Sequence, residues 1–149
     1  MSQAQLKLDD YLPYLVNRVG AALVATYTRR ALAGHKLGID MWRVLAILSG
    51  NGGQRQIDLA SAASIEASTV SRIVTRLVRL GLVTRGRSET SNREVQVQLS
   101  PKGRALVKKL LPVAISLEDT AVAGLSSAEL AQLKKALRKV YGNLAAARR

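Results

Sequence analysis

The stretch Glu66-Ala67-Ser68-Thr69-Val70-Ser71-Arg72-Ile73-Val74-Thr75-Arg76-Leu77-Val78-Arg79-Leu80-Gly81-Leu82 decides the fold. Val70, Ile73, Val74 and Leu77 recur at three- and four-residue steps, the spacing of one inward face of an α-helix over roughly 66–80. Ser68, Thr69, Ser71, Arg72, Thr75 and Arg76 then fall outward. Gly81 suits the left-handed residue that follows a helix, and Leu82 supplies the apolar contact common at such exits. Upstream, Gln56 to about Ala63 reads as a short helix presenting Ile57, Leu59 and Ala60, with a polar turn around Ser64 between the two. Downstream the apolar period changes: 82–85 and 95–99 have strand composition, and 86–94 between them is polar and rich in turn formers. Two helices on a tight turn followed by a β-hairpin describe a winged helix-turn-helix over 39–104.

The flanks are helical. Leu12, Leu15, Val16, Val19, Leu23 and Tyr27 predict an amphipathic helix, capped by Asp9 or Asp10 and running to about Ala33, where 34–38 breaks it. A second helix with Asp40 as N-cap carries Trp42, Leu45 and Leu48 and ends in the glycine-rich 50–53. Ser100-Pro101 starts a long helix to about Gly124, with a bend expected at Pro112. Ser126 and Glu129 form a capping box before a final helix bearing Leu130, Leu133, Leu137, Val140 and Leu144. The fold expected is mainly α with a small β-wing. No repeat and no long linker divides the 149 residues, so 1–149 reads as a single domain. The apolar stripes of 1–36 and 105–149 exceed what one small module can cover, and a two-fold homodimer accounts for them.

Charge narrows the partner. The chain carries 23 Lys or Arg against 10 Asp or Glu, a net charge of +13, and this excess is spread over folded elements. Nucleic acid or an anionic membrane surface are the partners such a balance suggests. Only 3% of residues are aromatic, too few for the stacking platforms of single-strand binders, so duplex DNA is the better match. The start does not read as a signal peptide, and the longest early charge-free stretch, 19–28, is too short to span a bilayer. A soluble, cytoplasmic protein without membrane attachment is expected.

Enzymatic and metal chemistry find no motif. Cysteine is absent and His35 is the single histidine, which excludes a disulfide framework, a thiol switch and a His-rich metal site. There is no phosphate loop ending in Gly-Lys-Ser/Thr and no nucleophile elbow, so no cofactor is expected. The outward face of the 66–80 helix carries the chemistry instead. Short hydroxyls at Ser68, Thr69 and Ser71 allow close approach to DNA, and Arg72 and Arg76 share a face able to reach guanine edges or phosphates. Every charge from Arg72 to Arg85 is positive, whereas a merely solvated face would mix signs. Arg85, Arg87, Asn92 and Arg93 on the hairpin suit insertion into a minor groove; a plain surface loop is the alternative. Lys134, Lys135, Arg138 and Lys139 fit a solvated helix face with long-range steering as a secondary role.

The chain resembles the MarR family of bacterial transcriptional regulators. The resemblance lies in the order of elements and in Asp40-Met41-Trp42-Arg43-Val44-Leu45, Asp58-Leu59-Ala60, the 68–83 stretch, Arg93, and Val97-Gln98-Leu99-Ser100-Pro101-Lys102-Gly103. It implies a homodimer built from the terminal helices, with two winged-helix lobes on a pseudo-palindromic operator. It also implies a repressor released by a small ligand, often phenolic or an aromatic acid. The family's cysteine-based peroxide sensing is excluded by composition. Two departures stand out. Ser91-Asn92-Arg93 replaces the usual Asp-Arg-Arg of the wing, leaving the wing looser or Glu89 as the substitute carboxylate. Arg55 replaces the usual Ser or Thr cap of the short helix, placing a basic donor where a phosphate can lie. The effector pocket implied by the family draws on the first two helices, which makes Tyr11, Tyr14, Arg18, Arg29, Arg30, His35, Trp42 and Arg43 candidates. Cations beside aromatic rings suit an anionic aromatic ligand, an aromatic acid or its CoA thioester. Core packing for the aromatics and surface roles for the arginines are the alternative. A non-specific architectural DNA binder is the other function compatible with the charge.

Overall fold

A computed structural model of the chain describes residues 4–87 and 94–148. It divides into two compact units, one up to Ile115 and one from Ser116 onward. The first holds α1 (Leu12–Tyr27), α2 (Ile39–Asn51), α3 (Gln56–Ala63), α4 (Ala67–Arg79), β1 (Val83–Arg87), β2 (Val95–Leu99) and most of α5 (Pro101–Ala121). The second holds the end of α5 and all of α6 (Ser127–Ala147). The architecture is mainly helical with a two-stranded antiparallel wing, as the change of apolar period predicts. Among the described residues no helix is long and apolar enough to cross a membrane.

The core of the first unit forms where the helical stripes meet. Leu32, Val44, Leu45, Leu59, Val70, Val74, Leu77, Val83 and Val97 are fully buried. Each such side chain contributes roughly 1.5–3 kcal/mol relative to exposure, so α4 is held by its back and leaves its front free. Ile73, expected inward, is only half-buried because it lies at the margin of that stripe. Val83 pairs with Leu99 and Arg87 with Val95, so β1 reaches two residues further than the sequence suggests and includes Gly86 and Arg87. Gln54 adds a bridge to β2, exchanging both backbone hydrogen bonds with Val97 at 2.9 and 2.7 Å.

Helix ends depart from the expected caps. Asp9 and Asp10 sit in a 3-10 turn, Leu8–Asp10; Tyr11 occupies the N-cap of α1 without a side-chain bond, and Pro13 fits the first turn. Asp40 lies inside the first turn of α2, whose N-cap is Gly38. The N-terminal helix continues past Tyr27 as a π-helical turn (Thr28–Leu32) and a 3-10 turn (Ala33–His35). It stops at Lys36, which is left-handed at φ 59°, and not at a glycine. Three helical segments share this exit. Leu37 N–H donates to Leu32 O and Lys36 N–H to Ala33 O; Ile65 and Ser64 donate to Ala60 and Ser61; Leu82 and Gly81 donate to Leu77 and Val78. These are paired six-to-one and five-to-two closures around a left-handed residue: Lys36, Ser64 (φ 55°) and Gly81 (φ 74°).

In the second unit, Ser126 and Glu129 make the reciprocal capping box at 3.1 Å in each direction, and Lys134 reaches Glu118 at 3.0 Å. No residue of α6 is buried: Leu133, Leu137 and Leu144 are exposed, and Leu130 and Val140 half-buried. Leu12, Leu15, Val16 and Val19 of α1 are exposed as well. α5 ends at Ala121, short of Gly124, which is left-handed at φ 90° in the turn that follows.

Candidate nucleic-acid interface

The outer face of α4 follows from its one-sided burial. Ser68, Ser71, Arg72, Arg76 and Arg79 are exposed, and Thr69 and Thr75 half-buried. Ser71, Arg72, Thr75, Arg76, Arg79 and Leu80 line an open groove of about 580 Å³ along this face. Arg72 rests on the Thr69 hydroxyl at 3.3 Å, while no described carboxylate pairs with Arg72, Arg76 or Arg79. Such a row of cations binds an anion without first breaking an ion pair. Arg79 was not among the residues expected to contact DNA, although its position three after Arg76 places it on the same face.

The wing is tied to this face. Arg85 on β1 donates to the Thr75 hydroxyl at 2.9 Å, and Thr75 in turn donates to Ser71 O at 3.0 Å. Arg85 and Arg87 are exposed on the strand. Asn92 and Arg93, like Glu89 and Ser91, lie outside the described residues. At the exit of α4, Ser100 hydrogen-bonds Gly81 O, and Lys102 Nζ donates to Leu80 O at 3.0 Å. The same Ser100 hydroxyl accepts the Gly103 N–H at 3.0 Å, which makes it the N-cap of α5. Arg104 donates to Leu99 O at 3.0 Å. These contacts at 100–104 had no signal in the sequence beyond the cap itself.

Arg55 occupies the N-cap of α3, as expected, without a side-chain cap bond. Its guanidinium forks onto Asp58, Nε to Oδ2 at 2.8 Å and Nη2 to Oδ1 at 3.2 Å, and lies 3.6 Å from Glu94 at the base of the wing. The hydrogen bonds from Arg55, with its charge adding to them, hold the Asp58 carboxyl below its ordinary value against the opposing effect of desolvation. Hydrogen bonding to Asp58, then the charges of Asp58 and Glu94, raise Arg55 above its ordinary value. Arg55 is thus engaged by two carboxylates, one of them Glu94 just before β2.

The eight candidate effector residues fall into different environments. Trp42 is buried and meets Tyr27 edge-on, with ring centroids 5.4 Å apart; the Tyr27 hydroxyl donates to Leu110 O at 3.2 Å. Burial pushes the Tyr27 phenol up to about 12. Arg43 pairs with Asp40 at 3.2 Å. Tyr11 lines a shallow hollow of about 220 Å³ with Gln5, Leu6, Lys7 and Asp10. Tyr14 and His35 are half-buried, and Arg18, Arg29 and Arg30 exposed. A further hollow of about 240 Å³ lies between the end of α2, β2 and Arg104.

Comparison with known proteins gives consistent relatives. A profile of the MarR family matches residues 39–95, the helix-turn-helix and β1. The chain is 30% identical to a helix-turn-helix transcriptional repressor of Mycobacterium bovis over 132 residues, 89% of this chain and 94% of that one. A MarR-family transcriptional regulator of Silicibacter pomeroyi superposes with a TM-score of 0.81 at 31% identity, covering 96% of each chain. BpsR of Bordetella bronchiseptica, whose DNA binding is regulated by 6-hydroxynicotinic acid, superposes with a TM-score of 0.81 at 27% identity, covering 93% of this chain and 98% of that one.

Proposed function

This chain belongs to the MarR family of transcriptional regulators, and from that premise we propose that it is a homodimeric repressor that reads a pseudo-palindromic operator and leaves it when a small anionic aromatic compound binds. The observation that carries the DNA reading is the outer face of α4, where Arg72, Arg76 and Arg79 line one groove beside small hydroxyls and lack carboxylate partners among the described residues. In this reading Ser68, Thr69, Ser71, Arg72, Thr75 and Arg76 meet base edges and phosphates, and Arg85 and Arg87 carry the wing onto the backbone. Arg55 contacts a phosphate only by exchanging Asp58 and Glu94 for it.

The exposed apolar residues of α1 and α6 support a two-fold dimer, which sets two α4 helices against two half-sites. For the effector, the support is BpsR, a 27% identical relative regulated by a hydroxylated aromatic acid, together with the cations beside Tyr11, Tyr14 and His35 in the sequence. An aromatic acid and its CoA thioester share the anionic, aromatic chemistry that such a set accepts. Coupling of about 1–3 kcal/mol between ligand and operator is enough to weaken DNA binding 5- to 150-fold.

The test is selection of duplexes from a random-sequence pool, followed by gel shift of the selected duplex with a panel of aromatic acids and their CoA esters. A consensus with two-fold symmetry, and loss of the shift with one compound, is the expected result. Recovery of no consensus would mark a non-specific architectural binder and overturn the reading.

A further inference from the structure

We propose that Ser100, together with Lys102 and Gly103, is a clasp that fixes α4 against the wing, making Ser100 a positioning residue that sets base preference without touching DNA. This inference rests on the reading of α4 as the DNA-reading helix. Ser100 is buried, with 9% of its surface exposed. In the sequence it looks like an ordinary N-cap, which has only to accept a hydrogen bond from its own helix. The Ser100 hydroxyl does that toward Gly103 N–H, and it also donates to Gly81 O, across nineteen residues of chain. One oxygen therefore closes the exit of α4 and the entrance of α5 at once.

The surrounding contacts all converge on the same turn. Ser100 N–H donates to Leu82 O at 3.0 Å, and Lys102 Nζ caps Leu80 O, placing a cation at the negative end of the α4 dipole. Gly103 is packed so closely that a Cβ there would lie 2.0 Å from Leu82 O and 3.0 Å from Leu82 C. Both neighbours are backbone atoms of the same turn, so no side chain can yield. With Leu82 N–H on Leu77 O and Gly81 N–H on Val78 O, the carbonyls of Leu77, Val78, Leu80 and Gly81 all have partners outside the regular helix ladder. α4 can then neither slide nor roll against β1 without breaking a bond to 100–103. Its reading face is held at one angle to Arg85 and Arg87.

The test separates positioning from capping. Ser100→Thr keeps both bonds, Ser100→Asp keeps the cap but cannot donate to Gly81 O, and Ser100→Ala loses both. Fluorescence anisotropy would measure affinity for the duplex that the wild-type protein selects from a random pool and for a scrambled duplex of equal length and composition. Circular dichroism would establish that each variant is folded. Ser100→Thr is expected to keep the wild-type ratio of the two affinities, while Ser100→Ala and Ser100→Asp lower it about tenfold. Equal loss on both duplexes, or a wild-type ratio in folded Ser100→Ala and Ser100→Asp, would overturn the clasp. Wild-type protein that selects no sequence would overturn the reading of α4 itself, and the clasp with it. Should the Ser100 variants fail to fold, Lys102→Met, which deletes a surface bond to Leu80 O, is expected to lower the ratio about threefold, and an unchanged ratio would again overturn the clasp.

Discussion

Replacing Arg79 by Ala in a dimer removes one cation from each of two α4 helices. Arg79 is exposed, lines the groove with Arg72 and Arg76, and has no described carboxylate partner, so no orphaned charge is left behind. If Arg79 neutralises a phosphate in each half-site, the slope of log affinity against log salt falls by about 1.8, twice the value of about 0.9 per released counterion. Between about 50 and 200 mM salt, the gap between wild type and variant should then shrink about twelvefold. Arg79→Lys keeps the charge and loses the fork, so it should retain the wild-type slope. The assay is anisotropy of a labelled duplex over that salt range, with Arg76→Ala measured in parallel. If Arg76 reads a base edge, its loss should cost about 1–3 kcal/mol per half-site and relax preference at one position, with little change in slope. Unchanged affinity, slope and preference in both variants would refute α4 as the contact surface.

Three further outcomes follow from the structure. Tyr27 has its phenol raised to about 12 by burial, so the unfolded chain ionises first and stability falls as pH climbs from about 10 to 12; Tyr27→Phe should lessen that alkaline loss while costing about 1 kcal/mol at neutral pH in urea unfolding. Asp58 is held below its ordinary value by Arg55, so its contribution is present above the unfolded value and fades as pH falls through the lower folded one. Carboxyl-detected NMR should show its midpoint return toward the usual range in Arg55→Ala. Leu133→Lys with Leu137→Lys places two charges in the exposed stripe of α6 and should shift sedimentation from dimer to monomer and abolish operator binding, while leaving helix content unchanged.

Helix-turn-helix and wing were legible because their signals are local and strong. The one-sided spacing of Val70, Val74 and Leu77 and the alternation at 95–99 each specify a backbone period by themselves, and the glycine at 81 marks where the helix ends. Caps were less legible, because Asp9, Asp10 and Asp40 have the right chemistry for a role that Tyr11 and Gly38 occupy by position alone. The exit at Lys36 was hidden for the same reason: glycines at 34 and 38 advertise a left-handed turn that the chain makes between them. On α4 the sequence pointed to the row of arginines, and Asp58 three residues after Arg55 is within local reach, but the engagement of Arg55 by Glu94 was not legible. That pairing joins residues 39 apart, next to the bridge from Gln54 to Val97. Ser100 and Gly103 were invisible as parts of the α4 exit, because nothing within five residues of them reports the carbonyls they meet.

The repeated helix exit carries a consequence for heat tolerance. One geometry serves three times, yet only one of the three left-handed positions holds a glycine. An ordinary side chain in that conformation costs roughly 1–2 kcal/mol, and glycine gives back about half of the relief through its freer unfolded chain. Lys36→Gly therefore leaves a net gain of roughly 0.5–1 kcal/mol, while Ser64 has a further interaction to lose. Lys36 lies at the exit of the N-terminal helix and not on α4, so the protein holds thermal headroom that an engineer can use without altering the face proposed to meet DNA.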